Sequence, residues 1–137
     1  MATPNATGDD LPDGYHSVIP RMVVDDVVGQ VEFLRRVFGA VADITPGRPV
    51  EVRIGDAVLL VSEAGERDAF PAFLYVYVED CDEAWGRAVE AGATTLESPL
   101  ETPYGDRRAM VRDRFGNVFQ IAHRRGPAEP LTGPRRG

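Results

Sequence analysis

The chain spells one pattern of elements twice, and that duplication constrains its fold more than any other feature. Residues 15–24 (YHSVIPRMVV) predict a strand. Asp25-Asp26 then offers an N-cap, because a carboxylate there accepts from the free amides of a helix's first turn. Val28, Val31, Leu34 and Val37 recur at helical spacing, with Phe38 beside them. They predict a helix over 27–38, ended by Gly39. A short strand at 41–44, an alternating one at 50–54, a turn at Gly55-Asp56 and a buried strand at 57–61 follow. After a polar connector at 64–70 the pattern restarts. It runs as a strand at 72–78, an acidic cap at 79–82, a helix at 83–91 ended by Gly92, and a short strand at 94–96. An alternating strand at 107–111, a turn at Phe115-Gly116-Asn117 and a last strand at 118–122 complete it.

The letters themselves match. VVDD precedes the first helix and YVED the second; Phe38-Gly39-Ala40 parallels Ala91-Gly92-Ala93; Ile54-Gly55-Asp56 parallels Phe115-Gly116-Asn117. A repeat of roughly 55 to 60 residues is too long for a short solenoid unit. It predicts an α+β domain of two modules, each strand-helix-strand-strand-strand, that pair because neither buries enough surface alone. The modules fall at about 15–63 and 72–123 within a single domain, 15–123. Residues 1–14 and 124–137 are polar and rich in Pro and Gly or Arg, and are expected to be flexible arms.

Charge and cysteine content narrow the function classes. A net charge of −7 disfavours a nucleic-acid partner, which requires a basic field. Cys81 is the only cysteine, so neither an intrachain disulfide nor a thiolate metal cluster can form. No histidine is near Cys81 in sequence to activate it as a nucleophile, and it reads as a small residue at a strand-to-helix junction. No run of 18 apolar residues and no basic-then-apolar start is present, so no membrane partner is expected and the cytoplasm is the default compartment.

The duplication, together with Gly14-Tyr15-His16, Pro20, Glu32-Phe33, Val78-Glu79-Asp80, Tyr104-Gly105-Asp106-Arg107 and Phe115-Gly116-Asn117-Val118, resembles the vicinal-oxygen-chelate superfamily. That group includes glyoxalase I, bleomycin-resistance proteins and extradiol dioxygenases, and the likeness is closest to its PhnB-like branch. The resemblance covers 15–123. Arg114 stands where that branch usually has proline, a change expected to be structurally mild. The resemblance implies two βαβββ modules whose cupped mixed sheets surround a cavity, with helices outside, and a homodimer. It also implies metal ligands on the first and last strand of each half, which here fall on Ile19, Leu59, Phe73 and Gln120. Three are hydrocarbon, and a neutral amide is a poor substitute for a carboxylate on a divalent ion, so neither a metal nor another cofactor is expected. His16 and His123 lie three residues from the Ile19 and Gln120 positions. They read as hydrogen-bonded or half-exposed strand-end residues.

Alternation along the strands selects the cavity face. With Phe73 inward, Tyr75 and Tyr77 follow; the first strand gives Ile19, Arg21 and Val23; the alternating strands give Glu51, Arg53, Arg108, Met110 and Arg112, and the last gives Val118 and Gln120. Phe73, Tyr75, Tyr77 and Met110 suit stacking on a flat ligand. Arg21 or Arg108 suits an anionic or carbonyl oxygen, though Arg21 and Glu51 equally suit a structural ion pair. Glu51, if desolvated, would gain a raised pKa and serve as a general base. The 103–107 loop is expected at the rim, with Asp106 and Arg107 in a structural role and Asp106 accepting from nearby backbone amides; a lid role for Tyr104 is the alternative.

Three functions remain. The first is a protein that binds a small hydrophobic or aromatic metabolite or drug without a metal. The second is a metal-independent lyase or isomerase using Glu51 or a histidine as base. The third, a metal-dependent glyoxalase- or dioxygenase-type enzyme, requires ligands recruited from elsewhere.

Overall fold

The computed structural model describes residues 4–126. The expected elements are present in the expected order: β1 (Arg21–Val24), α1 (Val27–Phe38), β2 (Val41–Ala42), β3 (Val50–Ile54), β4 (Ala57–Glu63), β5 (Phe73–Tyr77), α2 (Cys81–Glu90), β6 (Thr94–Glu101), β7 (Asp106–Arg112) and β8 (Val118–Arg124). They form two βαβββ modules, each with a four-stranded mixed sheet, ordered β1-β4-β3-β2 and β5-β8-β7-β6. By contacts the chain divides into two compact units: one runs through residue 35 and from 39 to 70, the other holds 36–38 and the residues from 71 onward.

Capping sets both helices. Asp26 Oδ1 accepts from Gly29 N at 2.8 Å, and Asp80 Oδ1 from Glu83 N at 3.1 Å. Gly39 closes α1 in the left-handed region at φ 66°, where a Cβ would be strained. In each sheet the first and last strands of the module run parallel, β1 with β4 and β5 with β8, while the hairpins are antiparallel. A parallel pair cannot be closed by a hairpin, so the helix serves as the crossover.

One face of each sheet is core. In the first unit Met22, Val24, Val50, Val52, Leu59 and Val61 are all buried, as is the α1 stripe Val31, Phe33 and Leu34. In the second, Ala109, Val111, Phe119 and Ile121 are fully buried. Ala84 and Ala88 of α2 are buried too, and α2 packs on β6, β7 and β8. Each such large apolar side chain contributes about 1.5–3 kcal/mol.

Several boundaries move. Residues 15–20 are not strand; β1 starts at Arg21, after Pro20, which has no N–H to give a ladder. β6 runs on to Glu101 through Pro99, at the cost of register shifts after Thr95 and Glu97. The sheet edge tolerates both, since among the described residues one side of that strand has no ladder partner to lose. Asp106 belongs to β7 rather than to the preceding loop. Arg124, expected in the tail, ends β8. Of the two arms, residues 1–3 and 127–137 lie outside the described residues; Gly8–Asp10 forms a 3-10 turn, and Arg53 donates to Asp13 O at 3.2 Å.

The β7–β8 turn also fixes the start of β5. Asp113 Oδ1 accepts from Phe115 N and Asn117 N at 3.0 and 2.9 Å, and Gly116 turns at φ 94°. The fully buried Asn117 then accepts from Ala72 N at 2.7 Å, beside the Val118 N to Ala72 O bond. Arg114 lies over the Phe115 ring at 4.3 Å. Replacing Asn117 with Ala strands the part-buried Ala72 N–H. We expect a loss of about 1–3 kcal/mol in denaturant unfolding, with the β5–β8 amides showing the earliest loss of exchange protection.

Candidate functional site

The register of the second sheet decides which side chains share a face. Tyr75 lies opposite Gln120, and Gln120 opposite Met110; Tyr77 lies opposite Ala122, and Ala122 opposite Arg108. Phe73 is beside Val118, and Glu97 of β6 is beside Met110. The alternation expected for Phe73, Tyr75, Tyr77, Arg108, Met110 and Gln120 therefore matches the ladder, and this face is not the core face. Phe73 is 64% exposed and Tyr77 is 56% exposed, unusual for large rings held by a sheet.

Asp106, which sequence reasoning did not place here, lies on this face where β7 begins, opposite Arg124. It is 1% exposed. Its Oδ2 accepts from Tyr75 Oη at 2.6 Å and Tyr77 Oη at 2.7 Å, while Oδ1 is buried and has no hydrogen-bond partner among the described residues. The expectation that Asp106 caps backbone amides in a loop is thus corrected. That local role falls to Thr102, whose Oγ1 accepts from Asp106 N at 3.0 Å. The two tyrosine rings lie 5.3 Å apart at 55°. Desolvation first, and the hydrogen bond to Asp106 second, raise both tyrosine hydroxyls above their ordinary pKa.

Arg108 is likewise committed. Its Nε and Nη2 donate to Glu97 Oε1 at 3.1 and 2.7 Å, and Nη1 donates to Tyr104 Oη at 2.8 Å. Tyr104 Oη stands 3.5 Å from Tyr75 Oη. Tyr104 is therefore tied into a hydrogen-bonded chain that runs Glu97, Arg108, Tyr104, Tyr75, Asp106, Tyr77, and Arg108 is not free to hold an anion.

Ile19, Arg21 and Glu51 belong to the first unit. Ile19 precedes β1 and is half-buried; Arg21 is exposed and pairs with Leu60 in the ladder, and Leu60 with Glu51. With β4 between them, Arg21 and Glu51 make no ion pair. Glu51 instead accepts from Tyr15 Oη at 2.5 Å and from Arg53 Nη2 at 2.8 Å. The desolvation expected to raise its pKa is outweighed by these hydrogen bonds. Glu51 is exposed, and Tyr15 first, then Arg53, hold its carboxyl below the usual range, the reverse of what a general base needs.

The ladder also corrects one metal-ligand position. Leu59 pairs with Val52 on the core face, and the residue equivalent to Gln120 is Leu60. The positions become Ile19, Leu60, Phe73 and Gln120, again three hydrocarbons and an amide. Among the described residues no group of three or more His, Cys, Asp or Glu is placed to hold a metal. These donors do not fit the divalent ion that the resemblance implies.

His16 Nε2 lies 3.0 Å from Asp56 O, and His123 Nδ1 accepts from Cys81 N at 2.7 Å. A histidine is therefore beside Cys81 in space, although none is in sequence. It binds the backbone amide rather than the thiol. The buried Cys81 Sγ donates to Ile121 O at 3.2 Å, and burial first, then Asp82, push its pKa up to about 11. On the same side, Arg107 bridges Asp82 and Glu101 at 2.9 and 2.8 Å.

With this geometry in place, comparison with known proteins is informative. Residues 16–121 match the profile of the Glyoxalase/Bleomycin resistance protein/Dioxygenase superfamily. An uncharacterised protein of Mycobacterium bovis is 27% identical over 120 residues, covering 74% of this chain and 79% of its own. An uncharacterised protein of Mycobacterium tuberculosis has the same identity and covers 71% of its own length. Among solved structures, TioX from Micromonospora sp. ML1 superposes with a TM-score of 0.68 at 24% identity, covering 77% of this chain and 96% of its own. A glyoxalase/bleomycin resistance protein/dioxygenase family enzyme from Burkholderia phytofirmans gives a TM-score of 0.62 at 22% identity, covering 80% and 96%. At these identities the structural likeness speaks for the fold. No helix of the described residues is long and apolar enough to cross a membrane.

Two outcomes follow. In thiol titration at neutral pH, Cys81 should stay unreactive in the folded protein and react stoichiometrically in denaturant. In Tyr15→Phe, the Glu51 carboxyl pKa, followed by carbon NMR, should rise toward its ordinary value. The Tyr15 contribution is present above the unfolded-state pKa of Glu51 and disappears as pH falls through the folded-state pKa.

Proposed function

The chain belongs to the Glyoxalase/Bleomycin resistance protein/Dioxygenase superfamily, and from that premise we propose that it binds a small hydrophobic or aromatic metabolite or drug without a metal ion. One observation carries the reading: Phe73 and Tyr77 present exposed rings on the same sheet face as Tyr75, Met110 and Gln120. Aromatic and apolar lining with a few fixed polar groups is the usual make-up of a small-molecule site. The tyrosines are held by Asp106, so their rings lose little freedom when a ligand stacks on them. Gln120, flanked by Tyr75 and Met110, supplies a neutral donor and acceptor in the middle of that wall.

The alternative, a metal-independent lyase or isomerase with Glu51 as base, is weaker. Its carboxylate is already stabilised by Tyr15 and Arg53, and a strongly stabilised carboxylate abstracts protons poorly.

Titrating the protein with a panel of planar aromatic compounds should give saturable binding, with the compound recovered unchanged by mass. Phe73→Ala should weaken binding about tenfold, the equivalent of one lost stacking contact of roughly 1.4 kcal/mol. Chelator treatment should leave the affinity unaltered. Conversion of the compound, or restoration of lost affinity by added divalent metal, would refute the reading.

A further inference from the structure

We infer that Asp106 sets the ligand class of this face, selecting an aromatic ligand that carries an ammonium or other hydrogen-bond donor group over one that carries a carboxylate. The inference rests on the aromatic-binding reading above and adds the charge of the ligand to it.

A tyrosine hydroxyl has one proton to donate. Tyr75 and Tyr77 both spend theirs on Asp106 Oδ2, at 2.6 and 2.7 Å. What each then turns outward is oxygen lone pairs. Tyr75 Oη already has Tyr104 Oη as a neighbour, at 3.5 Å. Tyr77 Oη has no second partner in the network, and its residue is 56% exposed. The aromatic wall therefore ends in acceptors rather than donors.

Charge points the same way. Arg108 is balanced by Glu97, with both Nε and Nη2 bound to the same carboxylate oxygen. Among the described residues Asp106 has no cation bound to it. Its Oδ1 is buried without a partner in a residue 1% exposed. A buried carboxylate oxygen left unsatisfied is costly, and a donor or cation brought close lowers that cost. The nearest unpaired cation on the ladder is Arg124, opposite Asp106. It is exposed and makes no ion pair among the described residues; its positive charge reaches the Tyr77 hydroxyl, where the charge of Asp106 outweighs it. Arg112, the other arginine on this face, is six positions along β7 from Asp106. A ligand cation placed over the Tyr77 ring would meet the ring's negative face, the hydroxyl lone pairs and the field of Asp106 together. A ligand carboxylate there would meet the same three groups with the sign reversed.

Three indole probes separate charge from stacking: tryptamine, 3-methylindole and indole-3-propionate, titrated by calorimetry at neutral pH. Tryptamine should bind at least about tenfold more tightly than indole-3-propionate, a difference of about 1.4 kcal/mol, with 3-methylindole between them. In Asp106→Asn, which keeps an acceptor for the tyrosines but removes the charge, tryptamine's advantage should fall to about twofold or less. Tyr77→Phe, at an exposed ring, should weaken tryptamine alone, and near-ultraviolet dichroism of each variant verifies the fold. Equal binding of all three probes overturns the inference and leaves aromatic binding standing. Tightest binding of indole-3-propionate overturns it in favour of Arg124. An advantage for tryptamine that persists in Asp106→Asn overturns the assignment to Asp106. Failure of all three to bind overturns the aromatic-binding reading and the inference with it.

Discussion

Each module depends on a parallel pairing between its first and last strands. Such a pair has no hairpin to set its register, so something else must. In the second module the buried Asn117 does this, by accepting from Ala72 at the entrance to β5. Because side chains alternate, that one register places Tyr75 beside Gln120 and Met110, with Tyr77 two residues on. A slip of a single residue would send the aromatic row into the α2 core and bring Leu74 and Val76 to the open face. The Asp-Arg-Phe-Gly-Asn turn is thus a register lock whose effect is felt on another strand.

Asp106 is the second constraint, and it is chemical rather than topological. A carboxylate that is almost wholly buried survives only when it accepts strong hydrogen bonds, and two tyrosine hydroxyls provide them. The arrangement fixes the tips of two large rings that would otherwise swing freely in solvent. It also leaves one carboxylate oxygen without a hydrogen-bond partner among the described residues, a departure from the ordinary satisfaction of buried polar groups. Stability and the character of the site are set by the same three side chains.

Local signals were legible wherever one residue type acts on its immediate neighbours. Helix α1 has the bounds read from Asp26, the apolar stripe and Gly39, because capping is decided within a turn. The face of β5, β7 and β8 followed from period two. Signals failed where a partner strand had the deciding role. Leu59 is buried on the core face and Leu60 takes the ligand position, because their orientation depends on pairing across to β3 and β1 rather than on their own neighbours. β6 runs five residues beyond the 94–96 stretch legible in the sequence, and Pro99 is tolerable in it only because the strand lies at a sheet edge. Glu51 appeared to be a base in waiting until Tyr15, 36 residues earlier, was found holding its carboxylate.

The sequence by itself determined the duplicated βαβββ plan, the family, the aromatic row Phe73-Tyr75-Tyr77 and the lack of ligating side chains at the metal positions. Each of these is written in local letters: a cap, a period, a turn, a residue type. The tertiary structure alone decided what those side chains are bonded to. It took Arg108 out of play by pairing it with Glu97, lowered rather than raised the pKa of Glu51, and gave Cys81 a histidine neighbour that leaves its thiol alone. It also turned Asp106 from a presumed turn residue into the acceptor of two tyrosine protons. The physical reason is that a hydrogen bond is a matter of ångströms, and residues 29 and 31 positions apart reach that distance only once the register of the sheet has been set.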